Sequence, residues 1–155
     1  MTPMTGKTIL LAEDNANDEE LTLRALRKYN VANEVMVVRD GQEALDFLFG
    51  TGPHAGRDLS QRPQVMLLDI NLPKINGLEV LKRVRADERT KTMPVVILTS
   101  SAEDRDRLTA YANFANSYIR KPVDFDQFTE AVRELGMYWL ILNEPPPRPR
   151  QAQAS

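Results

Sequence analysis

The stretch "PQVMLLDINLP", residues 63–73, decides how the chain is read. An apolar run, Val65-Met66-Leu67-Leu68, ends abruptly in a carboxylate, Asp69, and then in a turn. Consecutive apolar positions, rather than alternating ones, fit a strand covered on both faces, the habit of a parallel sheet. An acidic residue at the end of such a strand has two readings. It is a turn former, or it is the reacting group of a site, because open parallel sheets collect their sites beyond the C-terminal strand ends.

Working outward, similar runs recur at "TILLA" (8–12), "EVMVV" (34–38), "VVIL" (95–98) and, more weakly, "SYI" (117–119). Segments of helical character lie between them. "DEELTLRALRK" (18–28) opens acidic and closes basic, as a helix dipole favours. "GQEALDFLF" (41–49) and "GLEVLKRVRAD" (77–87) space apolar residues three and four apart, and "AEDRDRLTAYANF" (102–114) and "FDQFTEAVRELGMYWLIL" (125–142) complete the series. Strand and helix alternating five times predict a doubly wound α/β domain. The boundaries expected are one domain over 1–142, with an insertion loop near 50–63, and a tail over 143–155. Four of the ten prolines fall within 145–149, so that tail is expected to run extended or disordered.

Bulk composition excludes several functions. A 155-residue chain that is 42% hydrophobic and 27% charged has the make-up of a soluble domain with a proper core. A net charge of −2 gives no basic surface for nucleic acid. No run approaches membrane-span length and "MTPMTGK" has no apolar signal core, so no membrane contact and a cytoplasmic location are expected. With no cysteine, thiol chemistry and disulfides are excluded. The single histidine, His54, lies in the Gly- and Pro-containing loop and is read as solvated, without a role.

The strand ends carry the chemistry. The first ends in Ala12-Glu13-Asp14, the third in Leu68-Asp69 and the fourth in Leu98-Thr99-Ser100; the fifth leads into Arg120-Lys121-Pro122. Aligned in a sheet, these ends gather three carboxylates, a hydroxyl and an ammonium. Two carboxylates about 5 Å apart repel by roughly 3 kcal/mol at an effective dielectric of about 20. Lys121 offsets one charge and a divalent cation would offset two more; an oxygen-only ligand set suits Mg²⁺. Carboxylate, metal, ammonium and hydroxyl together make a phosphoryl-transfer kit. Each residue alone also has a plain reading: Glu13-Asp14 as dipole-favourable charge, Thr99 as a cap, Lys121 as a surface lysine. Their joint placement favours function. "LAEDNAND" (11–18) lacks the glycine loop of a dinucleotide fold, and no Walker lysine loop is present, so no bound nucleotide is expected.

In these residues the chain resembles the receiver domains of two-component response regulators, over about residues 7–142. The acidic pair after the first strand, the aspartate ending the third, Thr99 thirty residues on and Lys121-Pro122 twenty-two residues after that follow the family's spacing. The resemblance implies a flavodoxin-like fold, a five-stranded parallel sheet of order 2-1-3-4-5. It implies that Asp69 accepts a phosphoryl group from a sensor histidine kinase. It further implies Mg²⁺ (or Mn²⁺) held by Glu13, Asp14, Asp69 and the backbone carbonyl of Asn71. Lys121 would pair with phosphoryl oxygens. Thr99 and Tyr118 would form the switch, Tyr118 turning inward as Thr99 swings to the phosphoryl group. Glu13 departs from the commoner Asp-Asp pair and is expected to retune metal binding. An ordinary strand aromatic is the plain reading of Tyr118.

A narrower resemblance, in "ANEVMVVRDGQEALDFLFGTG", "NSYIRKPVDFDQF" and "YWLILNEPPP", is to the single-domain regulators paired with bacterial phytochromes. It implies a phytochrome-type kinase as partner, signalling by docking in a phosphorelay, and no enzymatic activity beyond self-phosphorylation and dephosphorylation. Phe128, Val132, Leu135, Trp139 and Leu142 form a helical stripe, yet 137–142 is apolar nearly all round. Relatives of this type dimerise through that end, so Tyr138, Trp139, Leu140, Ile141 and Leu142 are the candidate homodimer contacts, against a local hydrophobic anchor. Two other functions compete with this reading. A metal-dependent phosphatase with Asp69 as nucleophile would need a second acid two residues on, where this chain has Asn71. The last alternative is an interaction module that is never phosphorylated.

Overall fold

A computed structural model describes residues 8–28, 35–60, 62–100 and 115–134. Five strands run β1 (Ile9–Ala12), β2 (Val35–Val38), β3 (Val65–Asp69), β4 (Val95–Thr99) and β5 (Ser117–Arg120). All pair in parallel, in the order β2-β1-β3-β4-β5. The described helices are α1 (Ala16–Lys28), α2 (Gly41–Phe49), α3 (Gly77–Ala86) and α4 (Phe125–Glu134). The expected doubly wound sheet is therefore present, and its order reverses between β1 and β3.

The period of two in a strand divides the core cleanly. Leu10, Ala12, Met66, Leu68, Val95 and Ile97 face one side, packed with residues of α2 and α3 such as Phe47 and Leu81. Ile9, Leu11, Val65, Leu67, Val96 and Leu98 face the other, against Ala25 and Leu26 of α1 and Phe128, Ala131 and Val132 of α4. This is why three of the runs are continuous: every residue of β1, β3 and β4 is buried. The second run departs from that expectation. Met36 is exposed and Val35 and Val37 only half-buried, because β2 stands at the sheet edge, where among the described residues no further strand pairs with it.

Caps fix where the helices start, and hence where the strand ends point. Asn15 Oδ1 accepts from the Asp18 N–H at the start of α1, Asp40 from Glu43 at α2, Asn76 from Glu79 at α3 and Asp124 from Gln127 at α4. Gly50 closes α2 in the left-handed conformation, at φ 66°. The long loop that follows folds back on α2 through a 3₁₀ turn, Gly52–His54. The Arg57 guanidinium lies 4.0 Å over the Phe47 ring and donates to the Phe47 carbonyl at 2.7 Å. His54 differs from its sequence reading. It is largely covered, edge-on to Phe47 at 5.3 Å, with Nε2 3.8 Å from Glu43. The helical segment at 102–114, the candidate dimer residues 138–142 and the 143–155 tail lie outside the described residues.

Candidate functional site

The site lies where β1 and β3 part, the point at which a doubly wound sheet opens a crevice. Register does the assembly. Ala12 pairs with both Val38 and Leu68, Asp69 pairs with Leu98, and Thr99 with Arg120. The residues following these positions thus emerge on one edge. Glu13 is held there by its N–H, which donates to the Val38 carbonyl at 2.9 Å, and Lys121 by its N–H to the Thr99 carbonyl. The Lys121-Pro122 peptide is cis.

Asp69 is buried, and its two oxygens have different partners. Oδ1 accepts the Asn71 N–H at 2.9 Å and Oδ2 the Lys121 ammonium at 2.8 Å. The loop beyond Asp69 is tied down at both ends. The Gly77 N–H donates to the Ile70 carbonyl, and the Gly41 N–H reaches across from α2 to the Pro73 carbonyl. Lys74, in the left-handed region at φ 66°, sits in this loop with its ammonium 3.5 Å from Asp40.

Lys121 is the hub. Its side chain is only 9% exposed, so the surface-lysine reading fails. Besides Asp69 it donates to Glu13 at 3.1 and 3.3 Å and to Asp18 Oδ2 at 2.9 Å. Burial disfavours its charge, but hydrogen bonds to Asp69 and Asp18 and attraction to Asp69 and Glu13 outweigh that and raise its pKa. Asp18 lies outside the set of candidates that the strand ends supply. In the sequence it is one of the acids at the start of a helix, for which the dipole is sufficient reason.

One oxygen each from Glu13, Asp14 and Asp69 lies within 4.8 Å of the others. Glu13 and Asp69 are buried while Asp14 is exposed, so the trio opens to solvent on one side. Hard carboxylate oxygens at this spacing, partly wet, fit an ion of the Mg²⁺ or Mn²⁺ kind that retains water ligands. Thr99 is buried at the end of β4, as expected, and Tyr118 projects from β5 with 40% of its surface exposed. Asn71 stands in the turn that holds Asp69. The sequence-derived residues thus share one edge, apart from Tyr118, which lies on the outer flank formed by β5 and α4.

Glu13 is fully buried, and burial is the main cause of its raised pKa. A hydrogen bond to Asp69 and repulsion from it add to the rise, Lys121 works against it, and the net result is about 7, up from 4.5. Between those values the folded protein holds a proton that the unfolded chain has released. Stability without metal is therefore expected to fall as pH rises from about 4.5 to about 7 and then level off. Asp46, Asp58 and Asp87 are shifted downward and titrate below this window. Urea midpoints of the native protein and Glu13→Gln across this range check the assignment; a mutant slope as steep as the native one would refute it.

Comparison with known proteins agrees with this geometry. The family model "Response regulator receiver domain" matches residues 9–133. The probable methanogenesis regulatory protein FilR2 of Methanothrix harundinacea is 41% identical over 138 residues, 89% of this chain and 86% of that one. Response regulator Rcp1 of Synechocystis is 34% identical over 134 residues, 86% of this chain and 89% of that one. Among solved structures, the bacteriophytochrome response regulator RtBRR superposes with a TM-score of 0.81 at 50% identity, covering 91% of this chain and 84% of its own. AtBRR, also a bacteriophytochrome response regulator, gives 0.81 at 48% identity, covering 92% and 100%. A Mn²⁺-bound form of Rcp1 gives 0.69 at 34%, covering 86% and 94%. Receiver domains are phosphorylated on aspartate and work with sensor histidine kinases. This chain belongs to the response regulator receiver domain family.

Proposed function

We propose that Asp69 is the phosphoacceptor, taking its phosphoryl group from the phosphohistidine of a phytochrome-type sensor kinase. The observation that carries this is the environment of its carboxylate. It is buried, fixed through Oδ1 by the Asn71 N–H, and met at Oδ2 by an ammonium also able to face phosphoryl oxygens. In the transfer an Asp69 oxygen bonds to phosphorus while the phosphorus–nitrogen bond breaks and its electron pair returns to the imidazole. Orientation of the nucleophile and positive charge beside the phosphoryl group are what the protein has to supply. Similarity to RtBRR and AtBRR supports the phytochrome pairing.

A bound Mg²⁺ or Mn²⁺ would be held by Glu13, Asp14, Asp69 and the Asn71 carbonyl, and would supply charge against the phosphoryl oxygens. Thr99, buried at the end of β4, and exposed Tyr118 on β5 are the switch pair, with Tyr118 reporting the state of the site to a partner. A phosphatase would need a proton donor two residues past Asp69, and the Asn71 side chain cannot serve. The apolar stretch containing Tyr138, Trp139, Leu140, Ile141 and Leu142 is the homodimer contact in this reading, supported by its composition.

The deciding experiment is intact mass after incubation with acetyl phosphate, with and without Mg²⁺. One added phosphoryl group is expected, dependent on Mg²⁺ and lost in Asp69→Asn. No adduct, together with no turnover of acetyl phosphate, would reject the reading.

A further inference from the structure

Lys121 has three hydrogens to donate and three carboxylates to receive them. Two of these, Glu13 and Asp69, also belong to the trio suited to a divalent cation; Asp18 does not. A cation on the trio competes for the Glu13 and Asp69 oxygens and repels the ammonium. Phosphorylation removes the full negative charge that Asp69 offers. Asp18 is the anchor that neither event takes away.

Its own placement is firm. The Asp18 N–H donates to Asn15 Oδ1 at 2.9 Å, and its carbonyl accepts the hydroxyl of fully buried Thr22 at 2.9 Å. These bonds fix the first turn of α1, and with it the Asp18 carboxylate, whose Oδ2 accepts from the Lys121 ammonium at 2.9 Å. The Asp18 side chain is 27% exposed against 9% for Lys121, which places it at the rim with the ammonium beneath.

We propose that Asp18 is a positioning residue, holding Lys121 at the phosphoryl site from outside the metal-binding trio. This rests on Asp69 being the phosphoacceptor. Asp18 touches no reacting atom and acts through Lys121 alone. Its carboxylate keeps the ammonium within reach of the phosphoryl oxygens after the other two anchors have been taken up.

Two readouts on the full chain test this with Asp18→Asn, Asp18→Glu and, as a surface control, Glu20→Gln. The first is the ¹⁵Nζ resonance of Lys121 in metal-free protein, assigned by its loss in Lys121→Met. Asp18→Asn is expected to shift it and speed its hydrogen exchange, Asp18→Glu to restore it in part, and Glu20→Gln to leave it alone. The second is the rate of phosphorylation by acetyl phosphate at saturating Mg²⁺, expected to be about five-fold slower in Asp18→Asn, with partial recovery in Asp18→Glu. A shifted resonance with a slower rate supports the proposal. An unmoved resonance, or an unchanged rate while the native protein phosphorylates normally, overturns it and leaves the Asp69 reading intact. A native protein that takes up no phosphoryl group overturns both.

Discussion

Lys121→Met is expected to strip about 3–5 kcal/mol from the metal-free protein at pH 8, the usual result of leaving buried charge without its partner. Against a total of about 5–15 kcal/mol for an ordinary domain, that is a large share. The cause is specific. Glu13 and Asp69 are both buried, and the lysine is the cation shown bonded to them among the described residues. Methionine keeps most of the volume and removes the charge. The loss should also depend on pH. Glu13 already titrates near 7, and without the ammonium it will hold its proton to higher pH. At pH 5 Glu13 holds its proton, so the variant should lie much closer to the native protein there than at pH 8. Mg²⁺ should close part of the gap at pH 8, because a divalent cation on the same oxygens replaces the missing charge. Urea titrations at both pH values, with and without Mg²⁺, check all three points. Equal stability of variant and native protein at pH 8 would mean that the carboxylates are not ionised together, and the electrostatic account of the site would fall.

That dependence shows why much of the site was legible from sequence and some of it was not. Asp69 and Thr99 end strands and Glu13 and Lys121 directly follow them, and in a parallel sheet the C-terminal ends share one edge whatever the detailed packing. Finding the apolar runs was enough to place these four together. Asp18 sits inside a helix, where its direction depends on how α1 rotates against the sheet. That rotation is set by Ala25 and Leu26 packing on Ile9 and Leu11, and no single residue near Asp18 announces it. A weak signal existed, since Asp18 lies one helical turn beyond the acidic pair, but a first-turn acid has a sufficient explanation in the dipole. The misread strand has a similar origin. "VMVV" looks as buried as "VMLL", and only the strand order reveals that β2 ends the sheet. Local pattern gives an element its type; its neighbours decide its burial.

Gly77→Ala should separate space from backbone conformation as the reason for a glycine. Gly77 is not among the glycines with positive φ, so alanine meets no conformational objection there. The obstacle is contact. A Cβ on Gly77 would stand 2.2 Å from the Asp69 carbonyl oxygen and 2.7 Å from the Ile70 Cα. Both are backbone atoms at the buried end of β3, and neither can swing aside as a side-chain tip would. Either α3 lifts from the sheet or the chain carrying Asp69 shifts, and a cost of about 3 kcal/mol, at the upper end for overpacking, is expected. Gly56→Ala provides the contrast. It has open space around its Cβ but φ of 88°, so only the conformational penalty of about 1 kcal/mol applies. The two variants should also differ in chemistry. Displacing Asp69 loosens its bonds to the Asn71 N–H and to Lys121, and misplacement by about 1 Å can slow a positioned reaction about a hundred-fold. Phosphorylation by acetyl phosphate, measured at a temperature where each variant is folded, should therefore be strongly slowed in Gly77→Ala and near native in Gly56→Ala. If Gly77→Ala proved as stable and as reactive as the native protein, the close fit of α3 on β3 could not be what holds the aspartate in place.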